Sequence, residues 1–286
     1  MTFSIWTAPR FPRRGAVVLG VALILGCKAD RQTPPATQPA VATRPVEQTH
    51  LPSPAEIVAA SIRAHGGESA LSRADIGRTK ARLRGSMLGA EADMTVVDVF
   101  RLPGFVRRVA EGTIGGEALH VTSIWNGDSS WHMKKDGTLY EGRNDLPAMA
   151  LFPDLFLTQL RQGLDPSLTL STPSGPDALS ADQRTVRVEE EGVWVADLLF
   201  DTKTHFLVAA RTPLAEQAAR RLGQASTEAR FSHFRDIAGM RLPSATTVQT
   251  GANRLEITLL SYEALPAVDD SLFAPPQGPA TAPAVP

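Results

Sequence analysis

From about Arg78 onward the chain is written with a period of two. Lys80, Arg82 and Arg84 alternate with Ala81, Leu83 and Gly85, which puts charge on one side of a strand and small or apolar groups on the other. Residues 92–102, 105–114, 117–125, 184–191, 193–200, 206–212, 227–236, 241–250 and 253–263 continue in β-branched, apolar and aromatic style and read as further strands. Asn126-Gly127 and Asp136-Gly137 are hairpin turn signals, because Asn, Asp and Gly accept the positive φ that such turns demand. They bracket one more strand, with Trp131 and Met133. Strands joined in succession by tight turns predict a largely antiparallel sheet.

Helices interrupt this pattern in few places. Ser53-Pro54-Ala55-Glu56 is a helix start: Ser53 can cap, Glu56 can reach back to close a capping box, and Pro54 costs nothing at the first helical position. Gly66-Gly67, after His65 in the last turn, ends it. Residues 145–162, DLPAMALFPDLFLTQLRQ, predict a second helix, capped by Asp145 and terminated by Gly163, with Pro153 dividing or kinking it. Leu151 and Leu155, and Phe152, Phe156 and Leu160, keep a spacing of four. That is more large apolar surface than one stripe requires; it suits either a static core helix or a lid, with Leu151, Phe152, Leu155 and Phe156 facing inward. Residues 213–222 read as a short polar helix or a long loop.

The prolines divide the chain. Of 22, only nine fall between residues 55 and 274, so one folded domain, 55–276, is expected between Pro-rich flanks. Residues 1–26 carry Arg10, Arg13 and Arg14 and no acid, then the apolar run GAVVLGVALILG. A basic head and a short apolar run form a secretory signal; Arg13-Arg14 leaves general or twin-arginine export open. The run ends in Ile24-Leu25-Gly26-Cys27, which resembles the lipobox of bacterial lipoproteins. The resemblance implies that Cys27 receives a diacylglyceryl group and becomes the new N-terminus, and Lys28 after it leans toward the outer membrane over the inner. Residues 27–54 then form a Pro/Thr-rich tether and 277–286 a disordered tail, since neither can bury enough apolar surface to fold.

Composition and motifs exclude more than they assign. Lys and Arg number 29 against 30 Asp and Glu, without the basic excess of a nucleic-acid binder. Cys27 is the single cysteine, so no internal disulfide or CxxC zinc site is possible. No apolar run is long enough to span a bilayer as a helix. The six histidines lack metalloprotease spacing, no G-x-S-x-G elbow occurs, and Gly112–Gly116 suits a hairpin better than a phosphate. His120, His132 and His233 lie on predicted strands but nothing brings them together. No catalytic residue, metal or other cofactor is expected, and no enzymatic activity. Trp125, Trp131, Trp194, Phe200, Phe231 and Phe234 sit on strands; they fit a packed core or one concave face lined for an acyl chain.

The last third carries a more specific signal: Asp201-Thr202-Lys203-Thr204-His205, then Phe234 to Pro243 as FRDIAGMRLP, then Asp269 to Pro276 as DDSLFAPP. These stretches, with His65-Gly66-Gly67 after the first helix and Asn126-Gly127-Asp128-Ser129-Ser130-Trp131, resemble the LolA/LolB-like periplasmic lipoprotein-carrier superfamily over about residues 55–276. The resemblance implies an α+β fold: an incompletely closed antiparallel β-barrel with helices over its open face. It also implies an apolar interior for lipid or acylated protein, and a role in lipoprotein sorting. Trp125, Trp131, Leu151, Phe152, Leu155, Phe156 and Leu160 are the expected cavity or lid residues. The long tether suits an anchored receptor or sensor better than a diffusing carrier, so two functions stand. One is a lipid-anchored envelope protein, its domain in the periplasm, that binds acyl chains. The other is an envelope sensor or assembly factor of the same fold that binds a protein partner.

Overall fold

The computed structural model describes residues 51–87, 89–127, 129–143, 154–173, 179–180, 182–214, 219–220 and 223–276. The signal segment, Cys27, nearly all of the tether, Leu151, Phe152, most of 213–222 and the tail beyond 276 lie outside them, as do Asp145, Pro147 and Pro153 of the second predicted helix.

The chain opens with α1 (Pro54–Ala64) and α2 (Glu68–Arg73). The capping box forms as expected: the Glu56 backbone N–H donates to Ser53 Oγ at 3.3 Å, and the Ser53 N–H donates to Glu56 Oε2 at 2.7 Å. α1 stops at His65 because Gly66 and Gly67 turn left-handed, at φ 111° and 83°. The Gly67 N–H closes the end on the Ile62 carbonyl at 2.8 Å. A side chain at Gly66 would also collide with backbone, since its Cβ would lie 2.5 Å from the Gly239 carbonyl oxygen.

Six strands follow: β1 (Ile76–Met87), β2 (Ala90–Arg101), β3 (Phe105–Ile114), β4 (Glu117–Asn126), β5 (Ser129–Lys134) and β6 (Leu139–Arg143). After α3 (Asp154–Gln162) come β7 (Thr169–Ser171), β8 (Leu179–Ser180), β9 (Gln183–Glu190), β10 (Val193–Asp201), β11 (Leu207–Pro213), β12 (Ser226–Ile237), β13 (Met240–Thr250) and β14 (Asn253–Ala264). All belong to one sheet in the order β6-β5-β4-β3-β2-β1-β14-β13-β12-β11-β10-β9-β7, with β8 beside β9. Every pair is antiparallel. The chain walks outward from β1 to one edge and crosses through the α3 connection to the other. It then walks back until β14 pairs with β1. Among the described residues β6 makes no ladder with β7 or β9, so the barrel is incompletely closed.

Alternation assigns the two faces. On β1, Thr79, Ala81 and Leu83 are buried while Lys80, Arg82 and Arg84 are exposed. One core gathers the inner residues of both halves of the sheet, such as Leu83, Phe100, Leu198 and Ile257, under Val58 and Ile62 of α1, Leu71 of α2, and Phe156, Leu157 and Leu160 of α3. All three helices therefore cover the same, concave face. Outward charges pair across strands: Arg82 donates to Asp93 through two bonds of 3.0 and 2.9 Å, and Arg187 grips Asp197 at 2.8 and 3.0 Å. Register shifts at Lys80/Ala81, Trp194/Ala196 and Leu199/Phe200 mark bulges, which increase local twist and bend a sheet toward closure.

The chain finishes with a strap. The Leu265 N–H bonds the Ile76 carbonyl at 2.9 Å, and a 3-10 turn (Asp270–Phe273), capped by the Asp269 carboxylate at the Ser271 N–H, delivers Phe273 to a second cluster. There Phe273 packs with Ile124 and Trp131, and with Phe105 at its edge, at a ring separation of 5.7 Å. Arg101 lies over the Phe105 ring and pairs with Asp270.

Candidate functional site

The concave face carries two chemically different regions. The first, under α3, is aromatic and centred on His65. This imidazole closes α1 yet is almost wholly buried. Its Nδ1 lies 2.6 Å from the Arg241 carbonyl, and its Nε2 accepts the Leu207 N–H at 3.1 Å. Both contacts require the neutral ring with its proton on Nδ1. Burial holds its pKa down at about 4, against 6.5 ordinarily, although the Arg241 carbonyl pulls upward. Phe206 stacks on the ring at 4.9 Å, and Phe156 meets it edge-on at 5.0 Å. Phe156 in turn meets Phe231 edge-on at 5.1 Å. Phe231 and Phe234 both contact Phe156 although three residues apart, because His233 takes φ 53° and is skipped in the ladder to β13.

α3 is held in a contradictory way. Phe156, Leu157 and Leu160 are fully or nearly fully buried, each contributing about 1.5–3 kcal/mol by leaving water. The same helix buries Gln159 Oε1, Arg161 Nε and Gln162 Oε1 without hydrogen-bond partners. Each such atom costs about 1–3 kcal/mol. Its C-terminal end is tied by polar contacts instead: Arg161 pairs with Asp75 and donates to the Leu71 carbonyl at 3.1 Å. Burial lowers the Arg161 pKa, and burial pushes the Tyr262 phenol up to about 12, with the Arg161 charge opposing. Gly163 lets the helix end approach α1, since a Cβ there would lie 2.3 Å from Val58 Cγ1. Beside this junction lies an open cleft of about 330 Å³ floored by Val58, Ala59, Ile62 and Leu164.

The second region is a polar row crossing the inner face of β14 to β5. Register places Tyr262 beside Thr79, Thr79 beside Asp98, Asp98 beside Arg108, Arg108 beside Ser123 and Ser123 beside His132. Thr79, Asp98, Arg108 and Ser123 are all buried. Arg108 grips Asp98 with two bonds of 2.8 and 2.9 Å, and His132 Nδ1 lies 2.9 Å from Ser123 Oγ. Trp125 closes the row, with its ring 5.5 Å from the Arg108 guanidinium carbon and edge-on to His132 at 5.7 Å.

The expected site residues separate. Trp125, Phe156 and Leu160 do belong to the concave-face core, and Leu157, absent from the expected set, joins them. Trp131 does not: it pairs with Ile124 and packs on Phe273. Ile124 and Trp125 are adjacent on β4 and point to opposite faces, so Trp131 is the socket of the C-terminal strap and not a lining residue. Leu155 lies on α3, and Leu151 and Phe152 lie outside the described residues. His120 pairs with Glu111, His132 with Ser123, and His233 is exposed; the three do not converge. No cluster of metal-ligating side chains occurs among the described residues. His65, Gln159 and the Asp98–Arg108 pair are the members that sequence reasoning missed.

No family model and no curated protein matches the sequence. The fold, however, is similar to that of a LolA superfamily protein from Nitrosomonas europaea, with a TM-score of 0.51 at 10% identity over 74% of this chain and 98% of that one. A DUF1329 family protein from Desulfovibrio piger ATCC 29098 is equally similar, with a TM-score of 0.51 at 9% identity over 78% of this chain and 98% of that one. The chain has the LolA-type fold, an incompletely closed antiparallel barrel with its helices on the open face.

Proposed function

We propose that the protein is a non-enzymatic protein of the bacterial cell envelope that takes up acyl chains, of lipid or of acylated protein, on the concave face beneath α3. In this reading Cys27 carries the lipid anchor, the domain stands in the periplasm on its tether, and the outer membrane is the favoured site because Lys28 follows the cysteine. α3 is the observation that carries the proposal. Its apolar side chains fill the face an acyl chain would occupy, while its three unpartnered polar atoms penalise the closed position. A helix seated in that way is exchangeable for a ligand that supplies the same apolar contact at about 0.8 kcal/mol per buried CH₂. A role in lipoprotein sorting is the finer form of this proposal and draws on the LolA-type fold.

The test pairs two measurements. Protein extracted from its native membrane is analysed by mass spectrometry for bound lipid, and binding of a fluorescent fatty acid is compared with urea stability for wild type and Phe156→Ser. The expected result is bound acyl lipid, and a variant whose binding falls by more than its stability explains. Protein free of lipid but joined to a stable partner would support the sensor or assembly role instead. A large loss of stability with undiminished binding by the folded remainder would make α3 a static core helix.

A further inference from the structure

The convex face of the sheet is not uniformly polar. Register sets Val97 beside Val109, Val109 beside Thr122, Thr122 beside Met133 and Met133 beside Leu139. These residues form one apolar row across β2 to β6 on the side away from the core, where alternation ordinarily places polar groups. The row begins at Lys80 of β1. Beside Lys80 stands Leu260: β14 is bulged so that Leu259 pairs with Ala81 and Ser261 with Lys80, and the extra residue between them is 53% exposed. The neighbouring row sets Arg78 beside Val99 and Val99 beside Arg107. Arg82 and Arg84 are held by Asp93, and Arg101 by Asp270. Arg78, Lys80 and Arg107 make no ion pair among the described residues. Glu263, opposite Arg78 in register, offsets one of these three charges.

The tip of the β9–β10 hairpin has the complementary character. Glu191 and Gly192 turn left-handed, at φ 50° and 79°, and make a tight two-residue turn between Glu190 and Val193, which pair. Glu189, Glu190 and Glu191 make no ion pair among the described residues, so the tip carries acids and no base. Val193 beside them is 67% exposed. Among the described residues five large apolar side chains are exposed, and Leu139, Leu260 and Val193 are three of them. One chain therefore presents two surfaces that each combine exposed apolar groups with unneutralised charge, of opposite sign. That is the pattern of surfaces that meet each other.

We infer that the acidic β9–β10 tip of one copy docks on the convex face of a second copy, with Val193 on the apolar row at Val97 and Val109, and Glu190 and Glu191 on Lys80 and Arg78. The inference is independent of acyl binding. The two surfaces differ, so the contact is head-to-tail: a copy that has docked its tip still offers its convex face. Exposed ion pairs alone hold little. The apolar row therefore supplies the adhesion, while the charges orient the partners and speed their encounter. The lipid anchor proposed above would hold the copies on one surface and raise their effective concentration.

Sedimentation equilibrium of the purified full chain, in a non-ionic detergent at matched density, measures the association. Wild type is expected to associate reversibly, with a Kd that rises about tenfold as NaCl goes from about 50 to about 500 mM, because salt screens exposed charges. A tip variant, Glu190→Gln with Glu191→Gln and Val193→Ser, and a face variant, Arg78→Gln with Lys80→Gln, should each associate about tenfold or more weakly when alone. Mixed in equal amounts, they should form a heterodimer of wild-type affinity that grows no further, because one variant keeps the face and the other keeps the tip. A wild type that stays monomeric at every concentration, an association indifferent to salt, or a mixture no tighter than its components overturns the inference. Disulfide trapping gives a second reading should a variant fail to fold. Val193→Cys in one chain should cross-link to Val97→Cys in another, and two chains that both carry Val193→Cys should not cross-link through that residue. No cross-link in the first pairing, or one in the second, overturns the inference as well.

Discussion

The His65 ring makes two hydrogen bonds to backbone, one to the Arg241 carbonyl and one from the Leu207 N–H. Three segments distant in sequence meet on one ring: the end of α1, the start of β11 and the start of β13. The Arg241 N–H returns a bond to the His65 carbonyl at 3.2 Å, so the joint is held from both backbone and side chain. It explains why a histidine precedes the two glycines, a choice that helix termination alone does not require. It also makes stability depend on pH in a definite direction. The folded pKa, about 4, lies below the ordinary 6.5, so the unfolded chain takes up the proton first. The contribution is complete above pH 6.5, declines as pH falls, and is lost below about 4, for a total of about 3 kcal/mol. His65→Gln should lower stability at pH 7.5 by about 2–4 kcal/mol through lost bonds and packing. Between pH 6.5 and 4, wild type should then lose about 3 kcal/mol more than the variant. Urea unfolding at several pH values checks this; parallel curves for the two proteins would show that His65 does not titrate as argued.

At the scale of elements, α3 is where apolar fit and polar misfit meet. Gln159 is only 4% exposed, and its Oε1 has no partner. Gln159→Leu keeps the approximate volume and removes the buried amide. It should raise stability by about 1 kcal/mol and weaken fatty acid binding by about fivefold, because a ligand must displace a better-seated helix. Calorimetric melting and probe titration on the same samples provide the two numbers. A fall in stability would mean that Gln159 is paired in the closed state and that α3 is not poised to leave. The apolar half of this element was legible in the sequence: the spacing of Phe156 and Leu160 predicts their burial, and both are buried. The unpaired amide oxygen was not, because helical spacing says where a side chain lies and nothing about what faces it. The long strands were legible almost to the residue, as the predicted 241–250 is β13 at Met240–Thr250, whereas the short β6, β7 and β8 were not foreseen. Their faces were legible only within a strand. Trp125 and Trp131 stand on successive strands, and the hairpin register that pairs Trp131 with Ile124 decides that they look opposite ways. Asp98 falls in step with Ala92, Met94, Val96 and Phe100, all buried, so parity alone carried a signal for a buried acid. Its partner Arg108 emerges only from the β2–β3 register.

For the whole molecule, the closing pair β1–β14 joins the first strand to the last, and no local signal predicts such a contact; the family resemblance, and not periodicity, pointed to a curved, nearly closed sheet. The same geometry bears on how the protein meets a membrane. No helix among the described residues is long and apolar enough to cross one. The outer face of the sheet is equally unsuited to lipid. Lys80, Arg82 and Arg84 of β1, Asp93 of β2 and Glu256 of β14 are exposed there, and each basic side chain facing the bilayer midplane would cost about 2–4 kcal/mol. Membrane attachment, in the proposed reading, therefore falls to the N-terminal segment. A single acyl chain gives only marginal binding, and stable anchoring needs at least two, which a diacylglyceryl group on Cys27 would provide. The tether of residues 28–54 would then let the domain range up to roughly 80 Å from the surface at about 3.1 Å per residue, far enough to hand a ligand across part of the envelope. Cys27→Ala should leave the precursor without lipid and send any processed domain to the soluble fraction, while the fatty acid affinity of that domain stays at the wild-type value. Fractionation after a carbonate wash, with probe titration of the released protein, measures both. Membrane association of the variant that survives the wash would show that a second anchor exists, and the assignment of Cys27 as the sole one would fall.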